Sequence, residues 1–413
     1  MTVTVTASMA DDFEKARDLF VQGIAEFEAG RFDAARTAFE TSLVLLPGRV
    51  STITNLAATH IQLHAPEAAL RLLDQALASQ PQDQDAWWQR AMALDALGRH
   101  DQMLAALDRL LQLRPDHVQG WLRHGQALQK LERLEPALAS YHRALALDPD
   151  LPSAWTNCGN LLKDLIRPEE AALAFEQALA RGADPALNGY FLAAVRGRTV
   201  PAAAPAQYVL GLFDNYAETF DTHLVQVLHY KAHTVLVDNL RGLYGTHFKR
   251  ALDLGCGTGL CGRLLRNITA QLHGVDLSAP MIDKARALDL YDRLVQADLV
   301  QHLQSTGQRY DLLLAADVFI YVGDLAPVFA GAARVLEPVG LFCFSVELVQ
   351  GDRDFELKAS LRYGQSEGYL RALAAEHGFE VVKTLHHPIR ERPAATHRGP
   401  VRFPAQALIG PSG

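Results

Sequence analysis

Through the first half of the chain, apolar residues return at i, i+3, i+4 and i+7, in runs separated by short polar stretches. That period belongs to amphipathic helices. In "AWTNCGNLLKDLIRPEEAALAFEQALARG" (residues 154–182) two such runs flank "LIRPEE", and Pro168 is placed to open the second helix. The runs themselves repeat. Pro47, Pro81, Pro115 and Pro149 are spaced by 34, and Trp87, Trp121 and Trp155 keep the same period. So do the small residues Gly23, Ala57, Ala91, Gly125 and Gly159. A second small row, Ala35, Ala69, Ala137 and Ala171, holds the register, with Met103 as its exception. A fixed period of this length marks a stacked array of helix pairs. Small residues let paired helices approach closely, while Trp and Leu fill the gaps. The array is expected to end where Ala183 replaces the proline.

After residue 185 the pattern changes twice. "GRTVPAAAPAQ" (197–207) reads as a linker. The next stretch, to about residue 245, has helical periodicity with a break near 215–222, and mixes Tyr216, Phe220, His223 and Tyr230 into its helices. From residue 249 short apolar strands alternate with helices. Strands are expected at "RALDLG", "QLHGVDL", "DRLVQADL", "YDLLLAADVFIYV", "GLFCFSVELV", "FEVVKTLH" and "VRFPAQALIG". Helices are expected at 260–268, "APMIDKARALDL", "DLAPVFAGAARVL" and "QSEGYLRALAAEHG". This alternation implies a doubly wound parallel sheet, with ligands outside the carboxyl ends of its strands.

Composition trims the possible functions. A length of 413 residues implies more than one domain. The net charge of −8 gives no reason to expect nucleic acid or an anionic membrane as partner. The beginning of the chain has no basic-then-apolar leader, and no window approaches a membrane span, so a cytoplasmic protein is expected. Cys158, Cys256, Cys261 and Cys343 are scattered, fit a reducing compartment and read as structural thiols, so no metal is expected.

The chemistry concentrates in "ALDLGCGTGLCGRLL" (251–265). Gly257, Gly259 and Gly262 spell the G-x-G-x-x-G of dinucleotide sites. Gly255, Gly257 and Gly259 spell G-x-G-x-G behind an acid. Two considerations separate the readings. A dinucleotide site needs its first glycine directly after the strand, which Gly257 is not. With Gly255 first, Asp253 sits at the strand end, where it can accept from a cofactor ammonium or a water. The next strand then ends at Asp276, placed to chelate ribose hydroxyls, and Asp298 ends the following one, suiting an adenine amino group. Three acids at successive strand ends oppose a polyanionic pyrophosphate and suit a positive sulfonium.

"LDLGCGTG", "GVDLS" and "QADL" resemble, in order and spacing, the first three motifs of class I S-adenosylmethionine-dependent methyltransferases. The 34-residue array resembles the tetratricopeptide repeat family, and the whole chain resembles bacterial predicted methyltransferases with such repeats in front. The fold implied is an all-α tetratricopeptide-repeat superhelix followed by an α/β doubly wound, Rossmann-like class I methyltransferase domain with an antiparallel closing strand. The expected divisions are a tail at 1–15, about five repeats at 16–185, a linker and helical lid at 186–247 and the methyltransferase domain at 248–413.

The resemblance implies S-adenosylmethionine held by Asp253, Gly255, Cys256, Gly257, Gly259, Asp276, Leu277, Asp298, Leu299 and Asp317. Leu277 would pack on the adenine. Asp317, Tyr321 and His223 are the candidates for catalysis, with Ser345, Glu347 and Tyr363 behind them. In the repeats, the position expected to face the groove carries Val21, Asn55, Gln89, Arg123 and Asn157. Such a row either holds a peptide backbone, like the asparagine ladder of O-GlcNAc transferases, or simply solvates an exposed face. Tyr216 and Tyr230 of the lid, and Arg390 and Arg392 of the basic stretch 386–402, are further candidates for substrate binding. After the fourth strand "ADVFIY" stands in place of the Asn/Asp-Pro-Pro-Tyr signature of amino-methylating enzymes, which argues against nucleic-acid substrates. Three functions follow: methyl transfer to a protein or peptide docked by the repeats; methyl transfer to a small or carrier-bound metabolite; or a repeat scaffold with a non-catalytic S-adenosylmethionine module. The intact acids count against the last.

Overall fold

The columns of period 34 become layers in a computed structural model that describes residues 2–197, 199–214, 220, 231–244, 247–388 and 404–411. The chain divides into two compact units, Met1–Ala183 and Asp184–Gly413. In the first, five helix pairs follow one another: α1 (Thr2–Glu28) with α2 (Phe32–Leu45), α3 (Val50–Gln62) with α4 (Pro66–Ser79), α5 (Gln84–Ala96) with α6 (His100–Leu113), α7 (Val118–Lys130) with α8 (Leu134–Leu147), and α9 (Pro152–Asp164) with α10 (Pro168–Ala180). Prolines open α4, α9 and α10, where the missing N–H is harmless. Helix α1 begins at Thr2, so the structure draws the residues expected as a tail into the first helix.

Within each pair the small-residue row of the first helix meets a buried column of the second: Phe39, Leu73, Leu107, Tyr141 and Phe175, each with no exposure. Where the first helix offers glycine, the partner is aromatic. A Cβ added to Gly23, Gly125 or Gly159 would lie 2.5 Å from the ring of Phe39, Tyr141 or Phe175. Where it offers Ala57 or Ala91, the corresponding residue is leucine. Volume is thus conserved across the pair, as close packing demands. The tryptophan and proline rows are a single device: the indole N–H groups of Trp87, Trp121 and Trp155 donate to the carbonyls of Pro81, Pro115 and Pro149 at 2.9, 2.8 and 2.9 Å.

The second unit opens with α11 (Pro185–Arg196), whose first turn is capped by Asp184. Helices α12 (Ala206–Phe213) and α13 (Ala232–Tyr244) follow. A mixed sheet then forms from β1 (Phe248–Leu254), β2 (Thr269–Asp276), β3 (Arg293–Gln296), β4 (Tyr310–Ala315), β5 (Leu336–Glu347), β8 (Lys383–Pro388) and β9 (Pro404–Pro411), in the order β3-β2-β1-β4-β5-β9-β8. Strands β1 to β5 are parallel, while β9 runs antiparallel between β5 and β8. Helices α14 (Leu260–Leu265), α15 (Ala279–Ala287), α16 (Leu299–Ser305), α17 (Ala326–Val335) and α18 (Glu367–Glu376) connect the strands. The central strand β4 and the end of β1 are buried on both faces, which is why "LLLA" reads as an unbroken apolar run and why Asp253 is a buried acid. Among the described residues no helix is long and apolar enough to cross a membrane.

Three local expectations differ from the structure. Strand β4 stops at Ala315 instead of continuing through "DVFIYV", because Asp317 takes a left-handed backbone (φ 61°) and Phe319–Tyr321 forms one 3-10 turn. Helix α14 ends at Leu265 and yields to a 3-10 turn over Arg266–Ile268. Between β5 and α18, where no strand was expected, β6 (Phe355–Leu357) and β7 (Tyr363–Gln365) pair as a small antiparallel hairpin.

Candidate active site

A cavity of about 770 Å³ lies at the carboxyl ends of β1, β2 and β4, the point where strand order reverses. Its floor is the glycine turn after β1. Gly255, Gly257 and Gly259 all have positive φ (66°, 53° and 93°). At Gly255 a side chain is excluded twice over, since a Cβ would also lie 2.5 Å from Val318. The turn is pinned to β2 by Gly255 N–H and Cys256 N–H, both donating to the Val275 carbonyl.

Asp276, ending β2, ties the turn to the next helix. Its Oδ2 accepts from Gly257 N–H at 2.8 Å and its Oδ1 from Ser278 N–H at 2.9 Å. Burial raises this carboxyl above its ordinary range, with the backbone donors opposing. The Ser278 hydroxyl donates to Asp214 at 2.6 Å, which ties a carboxylate at the end of α12 to the start of α15. Asp298 lies two residues beyond β3 and is the N-cap of α16: its Oδ1 accepts from the N–H groups of Val300 and Gln301. Leu277, Leu299 and Cys256 line the same space.

Asp253 is buried, at 1% exposure, and accepts from the Tyr291 hydroxyl at 2.7 Å. Burial pushes its pKa up to about 7 against the pull of that hydrogen bond, and Asp276 adds like charge. Tyr291 also explains the glycine that suggested a dinucleotide site. A Cβ on Gly262 would collide with the Tyr291 hydroxyl, and one on Gly274 would lie 3.0 Å from its ring. Gly262 makes room for a tyrosine. The sequence signal was available, because Tyr291 stands just before β3, but a lone tyrosine among polar residues has no period to betray it.

Asp317 and Tyr321 line the cavity from the β4 side. The Asp317 N–H donates to the Ser345 hydroxyl at 2.8 Å, which holds the left-handed turn. The Tyr321 ring meets Phe213 edge-on, with centroids 5.6 Å apart. Residues 201–204 form a strap along that rim: Ala204 N–H donates to the Tyr321 carbonyl, and Gly323 and Asp324 N–H to the Ala202 carbonyl. Helix α12 adds Tyr208, Val209, Leu212 and Phe213 to the lining, with Phe220 and His233 beyond it. Tyr363 is core, its hydroxyl donating to the Pro201 carbonyl. Glu347 is buried and flanked by Lys358 and Arg362 at 3.2 and 3.6 Å.

Eight of the ten residues expected around a cofactor line the cavity together with Tyr321; Asp253 is buried behind the glycine turn against Tyr291, and Gly259 faces Leu288 and Tyr291. His223, Tyr216, Tyr230, Arg390 and Arg392 lie outside the described residues. Asn55, Gln89, Arg123 and Asn157 belong to the other unit, on α3, α5, α7 and α9, where each is half-buried. Asn55 donates to the Ser51 carbonyl, and Arg123 lies 3.6 Å from Asp95.

Residues 252–344 match a family model described as a methyltransferase domain. Residues 26–94 and 84–127 match tetratricopeptide repeat models, and 125–165 a TPR repeat model. Ubiquinone biosynthesis O-methyltransferase of Aliivibrio fischeri (strain MJ11) is 29% identical over 114 residues, which are 27% of this chain and 47% of that protein. The chain thus spans about half the length of that relative. A solved structure of a thermophilic TPR protein in Thermus thermophilus is 24% identical, with a TM-score of 0.36, and covers 44% of this chain and 98% of its own. Methyltransferase-like protein 27 of Homo sapiens is 31% identical over 172 residues, 40% of this chain and 69% of that protein. That extent of likeness, together with the methyltransferase model on the unit that holds the cavity, places the chain in the methyltransferase family, with tetratricopeptide repeats ahead of its methyltransferase domain.

Proposed function

We propose that the protein transfers a methyl group from S-adenosylmethionine to an acceptor brought by a protein or peptide docked on the repeats. The observation that carries the cofactor assignment is Asp276, held by the Gly257 and Ser278 N–H groups at the tip of β2, beside a turn stripped of side chains. The donor set fits the cofactor. Asp276 and Asp298 offer acceptors to two ribose hydroxyls and an adenine amino group, Asp253 stands buried behind the turn where it can answer an ammonium through a water, Leu277 and Leu299 offer apolar walls, and acids at successive strand ends oppose a pyrophosphate. When bound, S-adenosylmethionine supplies an electrophilic methyl group on sulfur.

The chain's own contribution is alignment and the exclusion of water by α12 and the strap. Asp317, on the acceptor side, takes a proton where the acceptor must lose one, with Tyr321 beside it to orient the attacking atom. The half-buried amides Asn55, Gln89 and Asn157 support docking of an extended peptide, and the Asn157 amide nitrogen has no hydrogen-bond partner among the described residues. A small-metabolite acceptor is the second reading, favoured by the cover that α12 and the strap lay over the cavity.

Asp276→Ala removes acceptors for two hydroxyl donors. It is expected to weaken S-adenosylmethionine binding by about 2–4 kcal/mol, tens to several hundredfold, by calorimetry. Unchanged affinity would overturn the assignment. Methyl-labelled S-adenosylmethionine incubated with the protein and host extract separates the two acceptors. Label in a protein band, lost when residues 1–183 are deleted, supports docking, and label only in small molecules supports the second reading.

A further inference from the structure

The sheet splits the cavity's charges. Asp253, Asp276 and Asp298 stand on the β1–β3 half, and Asp317 follows β4. The opposite wall, beyond β5, is the small β6–β7 hairpin, and it brings cations. Its turn places Ser360 and Arg362 in the cavity lining. Between them Leu361 is buried and left-handed (φ 61°), a conformation that a branched side chain adopts only where its surroundings enforce it. They do so here. The Tyr190 hydroxyl, from α11, donates to the Leu361 carbonyl at 2.6 Å, and Leu361 N–H and Lys358 N–H close the turn at 2.8 and 2.9 Å. A strained turn held by a buried tyrosine from another helix is a built wall, with Arg362 as its polar projection.

The charge on that wall is not balanced. Lys358 and Arg362 share one buried carboxylate, Glu347, and of the two only Lys358 comes within hydrogen-bonding distance of it. Among the described residues this wall thus carries two cations to one carboxylate, with Asp317 the acid in the lining on the β4 side. Glu347 attracts the guanidinium from 3.6 Å without hydrogen-bonding its fork, and a guanidinium fork matches a carboxylate bidentately. The remaining surface there is aromatic, with Phe213 and Tyr321 edge to face.

Building on the reading that the acids hold S-adenosylmethionine, we infer that Arg362 is the specificity residue for the acceptor, and that the acceptor carries a carboxylate on an aromatic or apolar body. The carboxylate is the handle that orients it, whether it belongs to a small acid or to the end of a peptide.

The test uses the full-length protein saturated with S-adenosylhomocysteine, titrated calorimetrically with phenylacetate, its neutral counterpart phenylacetamide, and N-acetylphenylalanine. The wild type is expected to prefer phenylacetate over the amide by about tenfold or more. Arg362→Gln should abolish that preference and Arg362→Lys retain part of it, with S-adenosylhomocysteine affinity unchanged in both. Tighter binding of phenylacetate or of N-acetylphenylalanine assigns the handle to a free acid or to a peptide end. A preference that survives Arg362→Gln, or no binding of any acid by the wild type, overturns the proposal. So does a loss of S-adenosylhomocysteine affinity in Arg362→Gln, which would give the arginine to the cofactor. Failure of the wild type to bind S-adenosylhomocysteine at all instead strikes the underlying cofactor assignment. Phenylacetate titrated into cofactor-free protein still reads Arg362 in that event.

Discussion

At Asp253 one buried carboxylate depends on one hydroxyl. Its pKa, pushed up to about 7 by burial, means that the folded protein keeps a proton there which the unfolded chain has already lost near pH 4. The native state therefore binds more protons between those values, and cofactor-free stability falls as pH rises through that window, reaching its full cost above about pH 7. A cationic ammonium beside Asp253 favours the ionised form. Binding of S-adenosylhomocysteine should therefore release up to one proton at about pH 6 and almost none at about pH 8.5, measured by calorimetry in buffers of different ionisation enthalpy. Tyr291→Phe leaves the carboxylate without its donor. It should destabilise the protein by about 1–3 kcal/mol above neutral pH in urea unfolding, and less at pH 5, where Asp253 is protonated. The three acids at strand ends were legible because strand ends can be located in sequence. Tyr291 and Asp214 were not, since each reaches the site from a loop or helix end whose direction no local pattern encodes.

At the scale of elements, what could be read was what repeats. Five helix pairs and an alternating parallel sheet announced themselves through period. The reciprocal sizes of Gly159 with Phe175 and Ala57 with Leu73 were written in the same columns, but only packing across the pair gives them meaning. Gly159→Ala should destabilise by about 1–3 kcal/mol because its Cβ overlaps the Phe175 ring. Adding Phe175→Leu should recover most of the loss, since that pair already stands at Ala91 and Leu107. A double-mutant cycle in urea measures the coupling, and additive losses would dissolve the volume argument. The β6–β7 hairpin went unseen because two strands of three residues are too short to show alternation. The early end of β4 went unseen because a left-handed aspartate looks, in sequence, like any other residue of an apolar run.

For the whole molecule, the relevant boundary is set by Tyr190. Every residue lining the cavity lies within Asp184–Gly413, and α11 belongs to that unit. A cut after α11 would remove the hydroxyl that holds Leu361. A protein beginning at residue 184 should bind S-adenosylhomocysteine as the full chain does. One beginning at residue 199 should lose phenylacetate binding and unfold at lower temperature by scanning calorimetry. Equal behaviour of the two would remove α11 from the account of the site.

The indole latches have a consequence for how the repeats come apart. Trp87, Trp121 and Trp155 fasten three of the four junctions between successive pairs, while the first junction has Ile53 in that place and no N–H to offer. A linear stack whose couplings are unequal opens from its weakest link. The pair α1–α2 is that link: its amides should exchange with solvent before those of α3–α10, so the array frays from its beginning while its later repeats stay locked together.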